Sequence, residues 1–202
     1  MRIALFGGSF DPPHLGHVLA ATYARVMGAV DEVWVMPVAR HAYAKPISPW
    51  AQRWALCQAA FAGLGFVRLC DDELRNPHGY TFDLLAALRA GHPGHVWFLV
   101  GGTDTATDLA NWHRGAELRR LIQVIAVPRR GYDEDPAALP ALSSSLVKGR
   151  IAAGGPLAGL LPPAVAGLIA AHGWYHASAE GVAPPAPGGS VSEDTVGLPP
   201  SA

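Results

Sequence analysis

Four apolar residues, Ile3-Ala4-Leu5-Phe6, run directly into Gly7-Gly8-Ser9-Phe10-Asp11-Pro12-Pro13-His14-Leu15-Gly16-His17. The apolar run reads as a buried strand, and Leu15 to Met27 reads as a helix. A strand feeding a helix through a glycine-rich turn restricts the chain to α/β architectures. It also marks the carboxyl end of that strand, where such sheets bind ligands. Gly7 and Gly8 let backbone N–H groups approach an anion closely. The following helix points its positive end the same way. His14 and His17 are three residues apart, so in a first helical turn they share a face. Glycines alone are explained by packing. Two imidazoles directly after the turn point instead to charge stabilisation in phosphoryl or nucleotidyl transfer.

The rest of the chain alternates apolar runs with helical patterns, which predicts a single Rossmann-like α/β domain, a parallel sheet with helices on both faces. Strands are expected at Glu32–Met36, Phe66–Leu69, His95–Val100 and Ile122–Val127. A helix is expected from Pro49 to Ala62, with Ser48 as its N-cap and Pro49 in its first position. Others are expected over Phe82–Ala90, from near Thr105, ending over Glu117–Leu121, after the serine cluster Ser143-Ser144-Ser145, and over Pro163–Ala171. The Gly101-Gly102-Thr103-Asp104 segment is expected to break the strand before it. The domain is assigned to residues 1–175. Residues 176–202, rich in Pro, Gly, Ser and Ala, read as a disordered tail.

Composition narrows the partners. With 202 residues, half of them hydrophobic and 15% charged, the chain can bury one sizeable core. A formal net charge of −1 gives no general attraction to a nucleic acid polymer or an anionic membrane, so any polyanion site is local. Cys57 and Cys70 make neither a disulfide framework nor a metal spacing. They read as reduced thiols of a cytoplasmic protein. No secretory leader or membrane-spanning run is evident.

Four further segments offer chemistry. Ser143-Ser144-Ser145-Leu146-Val147-Lys148 is explained by helix capping, and equally by anion binding at a helix start. Gly102, Asp104, Leu109 and Trp112 suit a small-molecule pocket, with Asp104 on ribose hydroxyls or a base edge and Trp112 stacked on a flat ring. Tyr80-Thr81 opens a helix whose N–H groups suit a carboxylate. The loop Arg40-His41-Ala42-Tyr43-Ala44-Lys45, with Arg53 beyond it, carries positive charge.

Ser9 to His17 resembles, without departure, the (T/S)FDPxHxGH signature of the HxGH nucleotidyltransferase superfamily. Leu142–Lys148 resembles that superfamily's second signature, ISSTxIR, with Ser145 for threonine and Lys148 for arginine. Gly102–Trp112 resembles the GxDxxxxLxxW segment of its nicotinate mononucleotide adenylyltransferases, and Tyr80-Thr81 part of their YTxxTL segment. The resemblance spans residues 1–175. It implies adenylyl transfer from ATP to nicotinate mononucleotide, with Mg²⁺ bridging ATP phosphates. It implies His14, His17, Lys45 and Lys148 as catalytic residues. It puts Gly7, Gly8, Ser9, Phe10, Asp104, Ser143, Ser144 and Ser145 on ATP, and Tyr80, Thr81 and Trp112 on the mononucleotide. Three alternatives stay open: nicotinamide mononucleotide as acceptor, phosphopantetheine as acceptor, or a nucleotide-binding regulator without turnover. One departure from the family is the short link over residues 133–142, where Leu139-Pro140-Ala141-Leu142 is a poor strand because proline cannot donate to a ladder.

Overall fold

The computed structural model describes residues 1–40, 46–131 and 135–176. His41, Lys45 and the tail, apart from His176, lie outside the described residues. Five strands form one parallel sheet: β1 (Arg2–Gly8), β2 (Glu32–Pro37), β3 (Val67–Leu69), β4 (Val96–Gly102) and β5 (Gln123–Val127), in the spatial order β3-β2-β1-β4-β5. Seven helices accompany them: α1 (Leu15–Met27), α2 (Trp50–Phe61), α3 (Thr81–Gly91), α4 (Thr103–Asp108), α5 (Gly115–Leu121), α6 (Ser144–Ala152) and α7 (Pro163–His172).

The strands are apolar on both faces because both faces are covered. Successive side chains point to opposite sides. Ala4, Phe6, Val33, Val35, Phe98 and Val100 join the core under α1, α2, α6 and α7. Ile3, Leu5, Trp34, Met36, Trp97 and Leu99 join a second core under α3 and α5. The chain winds outward from β1 to β3 and then returns to β4 on the other side of β1. The carboxyl ends of β1 and β4 therefore flank a topological switch point, the crevice where open α/β sheets bind ligands.

Two expectations are corrected. Strand β4 continues through Gly101 and Gly102, which pair with Ala126 and Val127, so α4 starts at Thr103, not Thr105. Glycine interrupts a strand pattern in sequence, but here the ladder hydrogen bonds outweigh its weak propensity. Helix α2 starts at Trp50 with Pro49 as its N-cap residue, so Ser48 is not the cap. The backbone of Ser48 is engaged elsewhere: its N–H donates to Asp11 (3.3 Å) and its carbonyl accepts from Arg53 Nε (2.8 Å). The proline-containing link is not wholly strandless either. Leu139 makes one isolated parallel bridge to Arg129, with its N–H on the Pro128 carbonyl and its own carbonyl accepting from Arg130. Pro140, lacking an N–H, cannot extend it.

Leu85 is fully buried at the centre of the second core. Leu85→Ala is expected to cost about 2–5 kcal/mol through lost burial and the cavity left behind. Urea denaturation measures it.

Candidate active site

The glycine turn ends at Phe10, and Phe10 is where the local chain is most constrained. Its φ is 46°, in the left-handed region that an aromatic residue rarely adopts. The ring, wholly buried, meets Phe6 and Phe61 edge-on at centroid distances of 5.3 and 6.1 Å. That packing offsets a backbone cost of about 1–3 kcal/mol. The His17 ring lies 4.8 Å from the Phe10 ring on a tilted plane. Phe10 thus supports His17 from the core. Its side chain does not line the cleft, where it was expected beside ATP.

His14 and His17 lie against each other, ring centroids 3.8 Å apart and planes 31° apart. The backbone N–H of His14 donates to His17 Nδ1 at 3.1 Å. An Nδ1 that accepts carries no proton, so the ring proton of neutral His17 is on Nε2. His14 is buried, and its Nδ1 has no hydrogen-bond partner among the described residues. Gly16 explains the small residue between the histidines. A Cβ there would stand 2.9 Å from His14 Nδ1 and 3.2 Å from Leu142 Cβ, so only glycine leaves the imidazole its place.

Burial pushes the His14 pKa down to about 4. Burial also holds His17 well below its ordinary value, reinforced by the charges of His14 and Arg129. Both rings are therefore neutral at pH 7 until an anion arrives beside them.

Beneath the turn is a buried charge node. Arg53 is fully buried and donates to three backbone carbonyls: Ser48 from Nε, Ser9 from Nη1 and Val38 from Nη2, each at 2.8 Å. Asp11, also buried, accepts from the Tyr175 hydroxyl (2.8 Å), Lys148 Nζ (3.1 Å) and the Ser48 N–H. Burial alone would raise the Asp11 carboxyl. The hydrogen bonds from Ser48, Tyr175 and Lys148, with the Lys148 charge, outweigh it and hold Asp11 below its usual range.

A cleft of about 1100 Å³ opens at the carboxyl ends of β1 and β4. On the α1 side it is lined by Gly7, Gly8, Ser9, His14 and His17; on the α3 side by Tyr80, Thr81, Trp112 and His113. Asp104 stands between, its Oδ1 accepting from Arg129 Nη2 at 3.1 Å. Trp112 Nε1 donates to Asp108 (3.2 Å), and Tyr80 stacks on His113 with centroids 4.2 Å apart.

The second signature is placed differently from expectation. Lys148, expected on the triphosphate, is ion-paired with Asp11 and does not line the cleft. Neither do the three serines. Ser143 caps α6 by accepting from the Leu146 N–H (3.1 Å), Ser144 donates to the Pro12 carbonyl (2.9 Å), and Ser145 is exposed. Lys148 and Ser144 fasten α6 onto the histidine turn. Arg53, the positive charge noted beyond the Arg40–Lys45 loop, is the clamp just described. Arg129 was missed: it follows β5 next to Gly102 and Asp104, and only its position at a strand's carboxyl end signalled it. Glu73, a buried carboxyl lining the cleft, was also missed.

Residues 5–150 match the cytidylyltransferase-like family. A "Probable nicotinate-nucleotide adenylyltransferase" of Anaeromyxobacter sp. (strain K) is 37% identical over 180 residues, covering 86% of this chain and 96% of that protein. The protein of the same name from Myxococcus xanthus is 35% identical over 181 residues, covering 87% and 95%. Among solved structures, "Plasmodium falciparum nicotinic acid mononucleotide adenylyltransferase complexed with NaAD" superposes with a TM-score of 0.73 at 19% identity, over 86% of this chain and 97% of that one. The chain belongs to the cytidylyltransferase-like nucleotidyltransferases and, within them, to the nicotinate-nucleotide adenylyltransferase family.

His14 is neutral in the fold and charged in the unfolded chain below its ordinary pKa of 6.5. Its depressed pKa therefore contributes stability that is complete above pH 6.5 and is lost as pH falls toward about 4. Across that window His14→Phe is expected to lose about 3 kcal/mol less than the wild type. Urea denaturation at several pH values gives the two slopes.

Proposed function

We propose that this protein transfers the adenylyl group of ATP to nicotinate mononucleotide, forming deamido-NAD and pyrophosphate. One observation carries the reading: the cleft joins an anion end, built from the glycine turn and the histidine pair, to an aromatic end at Tyr80 and Trp112. A nucleotide acceptor with a flat ring and a 5′-phosphate matches both ends, whereas phosphopantetheine offers nothing flat to Trp112. The family membership points the same way.

In the reaction a 5′-phosphate oxygen of the mononucleotide bonds to the α-phosphorus of ATP. The bond from that phosphorus to the bridging oxygen breaks, and pyrophosphate leaves. No protein nucleophile is needed, so catalysis is positioning and charge stabilisation. The N–H groups of the glycine turn face the phosphates. His17 offers its Nε2 proton, and His14 lies against it. Negative charge arriving beside two neutral imidazoles favours their protonation, so positive charge builds up where the transition state needs it. Arg129, drawn from Asp104 or shared with it, takes the cationic role that the family resemblance implied for Lys148. Lys45 remains a candidate for the leaving pyrophosphate.

Among the described residues no cluster of three or more His, Cys, Asp or Glu side chains could hold a metal ion. Mg²⁺ prefers oxygen ligands and keeps several waters. Mg²⁺ would be held chiefly by the ATP phosphates, and would supply withdrawal of charge from their oxygens. Cys57 and Cys70 are free buried thiols. No described helix is long and apolar enough to cross a membrane. Both suit a protein that draws on cytoplasmic ATP. The catalytic unit is residues 1–175.

Pyrophosphate release with ATP, Mg²⁺ and nicotinate mononucleotide tests the reading. Rapid release supports it; ATP binding without release from either mononucleotide sinks it. His17→Ala is expected to lower kcat by about 10²–10³-fold, the cost of removing one such donor; unchanged turnover would refute the role of His17. Trp112→Ala is expected to raise KM for the mononucleotide, as seen in initial rates at saturating ATP, while an effect confined to ATP would contradict the stacking role.

A further inference from the structure

Glu73 is the one cleft-lining carboxyl group that the reaction described above leaves unused. It sits in the 3-10 turn Asp72–Arg75 and is 4% exposed. Its neighbours Asp71 and Asp72 pair with Arg75 at the surface, at 3.2 and 2.9 Å. No cation pairs with Glu73 among the described residues. Its hydrogen bond comes from a neutral amide: Asn76 Nδ2 donates to Glu73 Oε2 at 3.0 Å and to the Tyr80 carbonyl at 3.3 Å. The same amide thus fixes Glu73 and the backbone that opens α3, while Oε1 has no hydrogen bond among the described residues. A buried carboxyl without a cation is costly to keep ionised. Burial raises its pKa, the Asn76 hydrogen bond opposes that, and Asp72 adds to it, with a net rise. The shift is toward the neutral acid, which carries an O–H.

The position gives that O–H a use. Glu73 lines the cleft together with Tyr80, Thr81 and Trp112, and the Asn76 amide ties it to the Tyr80 carbonyl at the start of α3. On the proposed function, the aromatic end at Tyr80 and Trp112 receives the acceptor's ring. Acid and amide acceptors differ only in the group on this ring. A carboxylate only accepts hydrogen bonds; a carboxamide also donates. We propose that Glu73, positioned by Asn76, donates a hydrogen bond from its carboxylic acid to the carboxylate on the acceptor's ring, and so sets a preference for acid over amide. This rests on the proposed adenylyl transfer and adds to it the residue that reads the ring substituent. A bond to a charged acceptor is also the strong kind, shorter and about twice the neutral one.

The test measures kcat and KM for nicotinate and nicotinamide mononucleotides in the wild type, Glu73→Met and Glu73→Gln, with a thermal melt of each. Glu73→Met is expected to raise KM for the acid at least about tenfold more than KM for the amide, with less change in kcat. Glu73→Gln retains an N–H donor and is expected to recover part of that loss. Equal changes on both acceptors, however large, would mean a structural role and overturn the inference while leaving adenylyl transfer intact. If Glu73→Met fails to fold, Glu73→Gln decides alone: the ratio of acid to amide KM rises about threefold or more, or the inference is wrong. Wild-type turnover of neither acceptor overturns the parent reading and this one with it.

Discussion

The structure depends on two buried charges beneath the glycine turn. Arg53 and Asp11 are both removed from water, and each is satisfied almost entirely by hydrogen bonds rather than by a direct ion pair with the other. The guanidinium gathers the carbonyls of Ser9, Val38 and Ser48, which end or follow three different segments of the chain. The carboxylate gathers the N–H of the same Ser48, and a phenol and an ammonium from two further segments. Buried ions are tolerated only with such complete satisfaction, and removing one partner leaves the other uncompensated. The geometry of the cleft floor is therefore set from below, by groups that do not line the cleft.

The histidine pair shows the same logic on the upper side. Two imidazoles at 3.8 Å would repel if both were charged, and burial keeps them neutral in the empty site. The pair is held without a carboxylate partner. Phe10 supports His17, the His14 backbone fixes its tautomer, and Gly16 makes room for His14. The pair itself carries no fixed positive charge; the cation beside it is Arg129.

What could be read in the sequence follows the range of the forces involved. The histidine turn was legible because strand, glycines and helix are contiguous, and spacing alone puts both imidazoles on one face. The alternation of apolar runs gave the parallel sheet, since its strands are covered on both sides. Tyr80, Thr81, Asp104 and Trp112 were legible through the family resemblance, and they do line the cleft. Lys148 was misjudged because the ion pair that holds it spans 137 residues, which no local pattern encodes. Ser143 caps its helix, as serines at a helix start most often do, while Ser144 reaches the Pro12 carbonyl 132 residues away. Phe10 looked like part of the anion cradle because its neighbours are; only the three-dimensional packing reveals a ring turned into the core. Arg129 sits in an Arg-Arg pair and Glu73 in an acidic run, with no spacing to single either out, and the fold brings them to the cleft.

The hydrogen bond from Tyr175 to Asp11 joins residues 164 positions apart. The family match ends at residue 150, yet the motif at the amino terminus is fastened by a group well beyond it. During synthesis the histidine turn emerges before α7 and waits for the residue that follows that helix before Asp11 gains its phenol. A nascent chain that has already made all five strands still lacks this fastening. Order in time and order in the finished site differ: the turn is translated well before the group that locks it.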